Sequence, residues 1–552
     1  MRQSAIYSLA STREVAGFLD GVINTIENGG GGEAVLDSVK NESGVTAPKH
    51  LDTLLGEANE DAYKKIFDSV AEGVKVYKHE HGVYPTADVA EAALQQGLAC
   101  FRGIDARGNI LDSATSAHHD QMSLQPNRAV VAILSLFSEA IPWAGYLPVD
   151  IGSNEGRLAI LSHLAGSTGG DYTNGGLLDG TNAGGVFASS QRMVKFNTAT
   201  GTTYTSAFTT ANLSSTPGYC DPAGTGVPVL RGRTIVYING LVAAVDAANG
   251  SGATSAIAGT ITMPTGVQIT LTGTVTLATG AISITSSINL ASYDVTAQSI
   301  IDFELQPALI QKVGVNATVY TLLANSWRVM TGVTIDGSTQ MRNELGLDAA
   351  SEGLLAIRAQ MAQERHYQAL RMAYSIGKNN PVSYDFGYST QIAQKTRAQI
   401  WQDFAAVIGN ADQNMANLTM DHGITHLYVP GFIAAQCQSL PPELFTSSGI
   451  ETRPSIYRVG KLFNKYDVYY DPKVASQAAN LQSAEIVAVG RSTQVARNPV
   501  VLGDAVSPTL MQLALNSDLV QNAAVYGRDF TVTNPHQPSA LGAARISVSN
   551  LA

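Results

Sequence analysis

Apolar residues recur at three- and four-residue spacing through Gly346–Gly377 (GLDAASEGLLAIRAQMAQERHYQALRMAYSIG). Leu347, Ala350, Leu354, Ile357 and Met361 trace one stripe. Leu355, Ala359, Ala362, Ala369, Met372, Ala373 and Ile376 widen it, which predicts a single long amphipathic helix. Asp348 and Glu352 load its start with negative charge, and Arg365 and Arg371 load later turns with positive charge, as the helix dipole favours. Gly377 followed by Asn380-Pro381 predicts its end. About 30 residues at 1.5 Å each make a rod of roughly 45 Å. A rod of this kind is a scaffold across which other layers pack.

The same spacing is weaker and more broken before residue 125. Ser11 and Glu14 form a capping box, followed by Val15, Phe18, Leu19, Val22, Ile23 and Ile26 on one face. A second helix is predicted around Tyr63, Ile66, Phe67, Val70 and Val74, and a third after Pro85 with Val89, Ala93, Leu94 and Leu98. Short helices separated by Gly and Pro suggest an arm that packs on something else, such as a neighbouring copy, or a small helical domain. From Val130 to Leu164 the pattern predicts a short helix and two or more buried strands.

Alternation with period two takes over in the Gly-, Thr- and Ser-rich stretch 166–297. Gly252, Gly259, Gly266, Gly273 and Gly280 stand seven residues apart. Between them GTITMPT, GVQITLT, GTVTLAT and GAISITS each read as a short strand closed by a turn. This predicts a β-meander, a projecting hairpin or small β-domain. Strands return at Ser299–Val313 and Ala317–Leu323. After the long helix come a second helix near Gln391–Ile408, a strand ITHLYVPG, a helix Phe432–Leu440, a strand pair across Tyr457–Tyr470 and a strand Ala484–Val489.

Composition narrows the function classes. Of 552 residues only 14% are charged, against about 25% in typical soluble chains, and the formal net charge is −11. The acidic balance argues against a sequence-specific nucleic-acid binder, which would usually carry a basic face. Cys100, Cys220 and Cys437 form no CxxC pair, so reduced thiols are expected. The start MRQSAIYSLAS has no sustained apolar run, so no signal peptide is expected, and the apolar run Ala129–Phe137 is too short to span a bilayer.

Candidate chemistry is sparse. There is no GxxxxGK loop, no HExxH and no GxSxG elbow; Gly166-Ser167-Thr168-Gly169 has the wrong spacing. His79-Glu80-His81, read as a strand, would put two imidazoles on one side, but no third ligand is evident. His118-His119-Asp120 is equally incomplete. Gly29–Gly32 follows no strand and reads as a linker instead of a phosphate cradle. Arg358, Arg365 and Arg371 share one side of the long helix, where a solvated or inter-subunit face is expected. No catalytic, cofactor-binding or metal-binding residue is assigned, and no cofactor is expected.

Four stretches, in order, resemble the major capsid proteins of tailed bacteriophages, the HK97-fold family and especially its larger myovirus-type members. They are FSEAIPWAGYLPVDIGSNEGRLAILSHLAG; SIIDFELQPALIQKVGVNATVYTLLANSW leading into the long helix; GITHLYVPGFIAAQCQSL followed by YRVGKLFNKYDVYYDPKV; and EIVAVGRSTQVARNPVVL. The family's V-G-x-L…V-Y-x-D-P pair corresponds to Val459-Gly460-Lys461-Leu462 and Val468-Tyr469-Tyr470-Asp471-Pro472. Gly490 and Pro499 match its return segment, and Tyr526-Gly527-Arg528 and Asn534-Pro535 echo its ending. Arg491 and Val500 depart from the usual lysine and aromatic residue. The resemblance covers roughly Ser138–Leu164 and Ser299–Pro535.

The resemblance implies an α+β capsid fold. Its expected parts are a helical N-terminal arm (1–125), strands that enter the peripheral domain (126–165), an extended loop with an inserted β-domain (166–297), the peripheral domain with its spine helix (298–385), a mixed α/β axial domain (386–500) and a C-terminal return to the peripheral domain (501–552). It further implies self-assembly into hexamers and pentamers of an icosahedral head, built in the host cytoplasm around double-stranded DNA bound without sequence specificity. Portal, scaffold and decoration proteins are candidate partners; no membrane and no enzymatic activity are expected. Leu55-Gly56-Glu57-Ala58 resembles the family's maturation site, with cutting after Glu57, although four loose residues also arise by chance. Lys195 is the only lysine between Gly166 and Ala297, and no isopeptide cross-link from it is expected. The competing readings are an encapsulin-like cellular shell, and an adhesin or enzyme that uses the β-meander.

Overall fold

The structure is a computed structural model that describes residues 9–40, 46–102, 118–147, 149–150, 154–196, 201–248, 252–345, 349–512 and 520–551. It is a mixed helix and sheet fold. The chain forms two compact units, one of residues 1–160 and 318–552, the other of residues 161–317.

In the first unit the long helix runs over Ala349–Ile376, 28 residues, or about 42 Å. Leu347 and Asp348 lie outside the described residues, as do the side chains of Ala350, Leu354, Leu355 and Arg358. Burial is uneven along the rod. Tyr367, Ala369, Leu370, Ala373 and Ile376 are in the core, whereas Ala359 is exposed and Ile357, Met361 and Ala362 are half-buried. Among the described side chains its apolar face is fully covered over the last three turns and only partly at Ile357, Met361 and Ala362. Nearer the start, Gly353 lets the helix lie against strand Asn325–Thr334, since a Cβ there would sit 2.9 Å from Thr331 Oγ1.

A seven-stranded mixed sheet packs beside this helix. Its spatial order is Pro381–Asp385, Ala543–Ser549, Ser483–Gly490, Ile424–Val429, Tyr466–Tyr470, Tyr457–Leu462 and Phe445–Ser447. The strand 543–549, expected with the return to the peripheral domain, sits inside this sheet, antiparallel to 483–490. Helix Arg397–Thr419 covers one face through Ile400, Trp401, Phe404, Ile408, Ala411 and Met415. Thr396 and Gln399 form its capping box, satisfying two helix-start N–H groups reciprocally. The pair Val459–Leu462 and Val468–Pro472 forms neighbouring antiparallel strands. Gly460 is required there because a Cβ would collide with the Thr446 carbonyl and the Phe445 ring.

This unit also holds a four-stranded sheet in the order Gly145–Tyr146, Val500–Gln512, Val520–Thr533, Asn325–Thr334, and a separate three-stranded sheet joins Val313–Leu323, Glu155–Ala165 and Val149–Asp150. The strand Asn325–Thr334 is additional to the strands expected from the sequence, although Trp327, Val329, Thr331 and Val333 alternate with Ser326, Arg328, Met330 and Gly332.

The N-terminal helices are Leu9–Glu27, Gly32–Lys40, Lys49–Glu57, Glu60–His81 and Ala87–Arg102, followed by His118–Glu139. The first is already helical at Leu9, so Ser11 does not cap it. These helices share a single core with the long helix and the seven-stranded sheet. Val22, Ile66, Phe67, Val74 and Phe137 lie in one cluster with Leu370, Ala373, Tyr428, Tyr469, Val487 and Leu502. Their apolar faces are thus met within their own chain. Gly32 permits a close helix approach, since a Cβ there would collide with the Asp68 backbone.

The second unit, 161–317, is wider at both ends than the expected 166–297. It carries an eight-stranded sheet in the order Gln191–Lys195, Val295–Ile300, Ile235–Ile238, Leu241–Asp246, Thr254–Thr262, Gln268–Thr276, Ala281–Ser286, Thr203–Ala207. Val236, Ile257, Ile269, Leu271, Val275 and Ile284 form its own core. The seven-residue glycine interval does not mark four strands. Gly266 and Gly280 have positive φ and make turns, while Gly259 and Gly273 lie inside strands 254–262 and 268–276. At the two interior positions a Cβ would strike the neighbouring strand, at the Ala243 and Ser283 carbonyls respectively.

Candidate functional site

The densest concentration of buried polar chemistry lies where the N-terminal helices meet the seven-stranded sheet. Helix Glu60–His81 delivers Tyr77 and His81, the long helix His366, strand Ile424–Val429 His426 and Tyr428, and strand Tyr466–Tyr470 Asp467 and Tyr469. His81 Nδ1 is 3.1 Å from the Tyr469 hydroxyl, and its Nε2 is buried without a protein partner. Tyr428 takes two neighbours at its hydroxyl, donation from Trp143 Nε1 at 2.9 Å and a contact with His366 Nε2 at 2.9 Å. The Tyr428 and Tyr469 rings stack at 5.3 Å.

Burial controls the charge of this cluster. It pushes His81 down to about 3, with His366, Arg458 and Arg491 adding repulsion. Burial pushes His366 to about 4, and His426 to about 3 with Arg491, His81, Arg458 and His366 contributing. Tyr77 is pushed up to about 12, chiefly by burial, and Tyr428 and Tyr469 are held well above the ordinary phenol range for the same reason. At neutral pH all three imidazoles are uncharged and all three phenols keep their protons.

Ion pairs ring the cluster. Arg491 donates to both oxygens of Asp88, at 2.9 and 3.1 Å, and also to Thr86 Oγ1 and the Pro142 carbonyl. Asp88 also accepts from the Tyr146 N–H at 3.2 Å. Arg458 holds Asp467 through two donors at 3.0 and 2.7 Å. Glu80 and Arg453 make a two-pronged pair, both bonds 3.0 Å. The fully buried Asp471 accepts from the N–H groups of Lys473, Val474 and Ala475, which fixes the turn after the strand pair. None of these groups is arranged as a nucleophile and base around an open cavity, so the site is a joint between layers.

The residues singled out from the sequence fall as follows. His79-Glu80-His81 is the last turn of a helix, not a strand. Residues two apart on a helix point to different sides, and indeed the His79 side chain is 71% exposed while His81 is buried. Arg365 is largely turned inward, with its side chain 20% exposed. It pairs with Asp504 at 2.8 Å and donates to Thr531, and Asp504 and Asp529 hold it protonated against burial. Arg371 is exposed. The side chains of Cys100 and of His118-His119-Asp120 lie outside the described residues. Cys220 and Cys437 are free and buried, and burial pushes the Cys437 thiol up to about 12. Gly29 has positive φ at a helix end, consistent with a link between packed helices. Leu55–Glu57 closes helix Lys49–Glu57, whose Leu51 and Leu54 are fully buried. Lys195 pairs with Asp294 at 2.8 Å. Among the described residues no group of three or more His, Cys, Asp or Glu could hold a metal, and no helix is long and apolar enough to cross a membrane.

The sequence signals for the joint were present but scattered. His81, His366, His426, Tyr428 and Tyr469 span nearly 400 positions, and no motif links them. His366, His426, Tyr428 and Tyr469 each fall in a segment that carries the family resemblance, but in three separate segments, and His81 falls in none.

No family model and no curated protein matches this chain in sequence. Solved structures do match in fold search. The capsid of jumbo bacteriophage PhiKZ is 10% identical, over 74% of this chain and 91% of that one, with a TM-score of 0.37. The capsid of Ralstonia phage GP4 is 9% identical over 43% and 77%, with a TM-score of 0.30. The SrpI encapsulin of Synechococcus elongatus is 10% identical over 43% and 78%, with a TM-score of 0.27.

Proposed function

We propose that this chain is a major capsid protein that assembles into hexamers and pentamers of an icosahedral phage head around double-stranded DNA. The observation that carries the reading is the ordered succession of the motif-bearing elements. The long helix Ala349–Ile376 precedes helix Arg397–Thr419 and strand Ile424–Val429, and the V-G-x-L and D-P segments then lie on adjoining strands closed by Asp471. In this reading the long helix is the spine of a peripheral domain, the seven-stranded sheet is the axial domain, and the unit 161–317 is an extended loop with an inserted β-domain. Assembly takes place in the host cytoplasm, and portal, scaffold and decoration proteins are its further partners.

The test is expression of the full chain, followed by sedimentation and negative-stain microscopy. Closed shells are expected. Nucleic-acid content of particles from infected cells separates a phage head from a cargo-enclosing cellular shell. A lasting monomer under all assembly conditions would contradict the proposal. The Glu57 site is read out in the same preparation by intact mass: a mature chain beginning at Ala58 supports cleavage, and a chain retaining residues 1–57 excludes it.

A further inference from the structure

The joint described above has a charge balance that neutral imidazoles alone can satisfy. His81, His366 and His426 come from a helix of the N-terminal layer, the long helix and the sheet, and meet around Tyr428 and Tyr469. The groups facing them can be named element by element. Helix Glu60–His81 adds Tyr77, with its ring 4.5 Å from His81, and Ala87–Arg102 adds Asp88. Strand Tyr457–Leu462 adds Arg458, strand Tyr466–Tyr470 adds Asp467, the turn beyond it Asp471, and the end of strand Ser483–Gly490 leads to Arg491. Trp143 and Tyr428 supply the remaining polar hydrogens. The two arginines are thus already present, and the three carboxylates are occupied: Asp467 by Arg458, Asp88 by Arg491, Asp471 by its own turn. An added imidazolium would meet two guanidinium groups and aromatic hydroxyls.

We propose that His81, His366 and His426 form an acid-labile latch, and that their protonation releases the N-terminal helices from the seven-stranded sheet. This goes beyond the shell reading and does not depend on it. The sign is fixed by burial. The neutral forms are favoured in the closed state, so closure is complete above the ordinary histidine range and weakens as pH falls below it. The N-terminal helices meet the sheet through this joint, through Glu80–Arg453 and Asp88–Arg491, and through the shared apolar core, so opening uncovers Tyr428, Tyr469 and the apolar side of helix Glu60–His81.

The test is hydrogen exchange by mass spectrometry on the full chain from pH 7.5 to 4.5, with rates corrected for intrinsic pH dependence. Peptides from Glu60–His81 and Ala87–Arg102 are expected to lose protection between about pH 6 and 4.5. The opening equilibrium should grow about tenfold per pH unit for each histidine that gains a proton. Peptides from helix Arg397–Thr419 should stay protected. The triple variant H81Q/H366Q/H426Q should keep the N-terminal layer closed over the same range. Unchanged protection in the parent protein, simultaneous loss in Arg397–Thr419, or opening of the triple variant at the parent's pH would each overturn the proposal. Should the triple variant fail to fold at pH 7.5, the half-buried site decides alone. His366→Gln must give a shallower pH profile than the parent, and an identical slope overturns the latch.

Discussion

Arg365 shows how far a single residue can depart from its surface-like sequence context. Its guanidinium lies largely covered between the long helix and strands Val500–Gln512 and Val520–Thr533, paired with Asp504. Removing one member of a buried pair leaves the other charge uncompensated, which typically costs about 3–5 kcal/mol. Arg365→Ala should therefore lower the denaturant midpoint strongly, whereas Arg371→Ala, at an exposed position of the same helix, should leave it nearly unchanged; equilibrium unfolding in urea distinguishes them. The buried histidines, like a paired carboxylate, predict stability that is lost as pH falls, here because the folded state keeps them neutral while the unfolded state takes up protons. With folded-state values near 3 and an unfolded value near 6.5, each of His81 and His426 withdraws about 2 kcal/mol of stability at pH 5 relative to pH 8. Unfolding midpoints measured across that range should fall with pH, and a flat profile would contradict the neutral buried state. Neither residue announced this role in the sequence. His81 was legible only as one half of a pair with His79, because burial of the last helical turn is decided by a sheet that arrives more than 300 residues later.

At the scale of elements, legibility followed how local the determining physics is. The long helix was readable because its spacing, charge bias and terminal Gly-Asn-Pro signals are all local. Its uneven burial was not, since that depends on which layers lie beside it. Ala362→Pro removes a backbone hydrogen bond mid-helix and should cost about 3 kcal/mol or more; circular dichroism and denaturation test that cost, and on the proposed function the same variant makes no shells. The glycine repeat shows the converse. Gly266 and Gly280 were readable as turns, but Gly259 and Gly273 owe their identity to the close approach of adjacent strands, which no window of sequence reveals. The capping box of Thr396 and Gln399 is local and lies at the observed helix start, while Ser11 and Glu14 match the same pattern inside a helix that begins earlier.

At the scale of the whole molecule, two units with separate cores predict separable unfolding. Leu271 is fully buried in the core of the 161–317 unit. Leu271→Ala should cost about 2–5 kcal/mol and shift one calorimetric transition while leaving the other in place; a shift of both would mean the units unfold as one. The broad class, mixed helix and sheet, was legible. The role of the N-terminal helices was not, because short amphipathic helices look alike whether they cover their own chain or a neighbour. Here they cover the long helix and the seven-stranded sheet of the same chain. Assembly is tested most directly by electron microscopy of the purified full chain after sedimentation. Closed icosahedral particles built of hexamers and pentamers are expected; a species that remains monomeric through every assembly condition would contradict the proposed function.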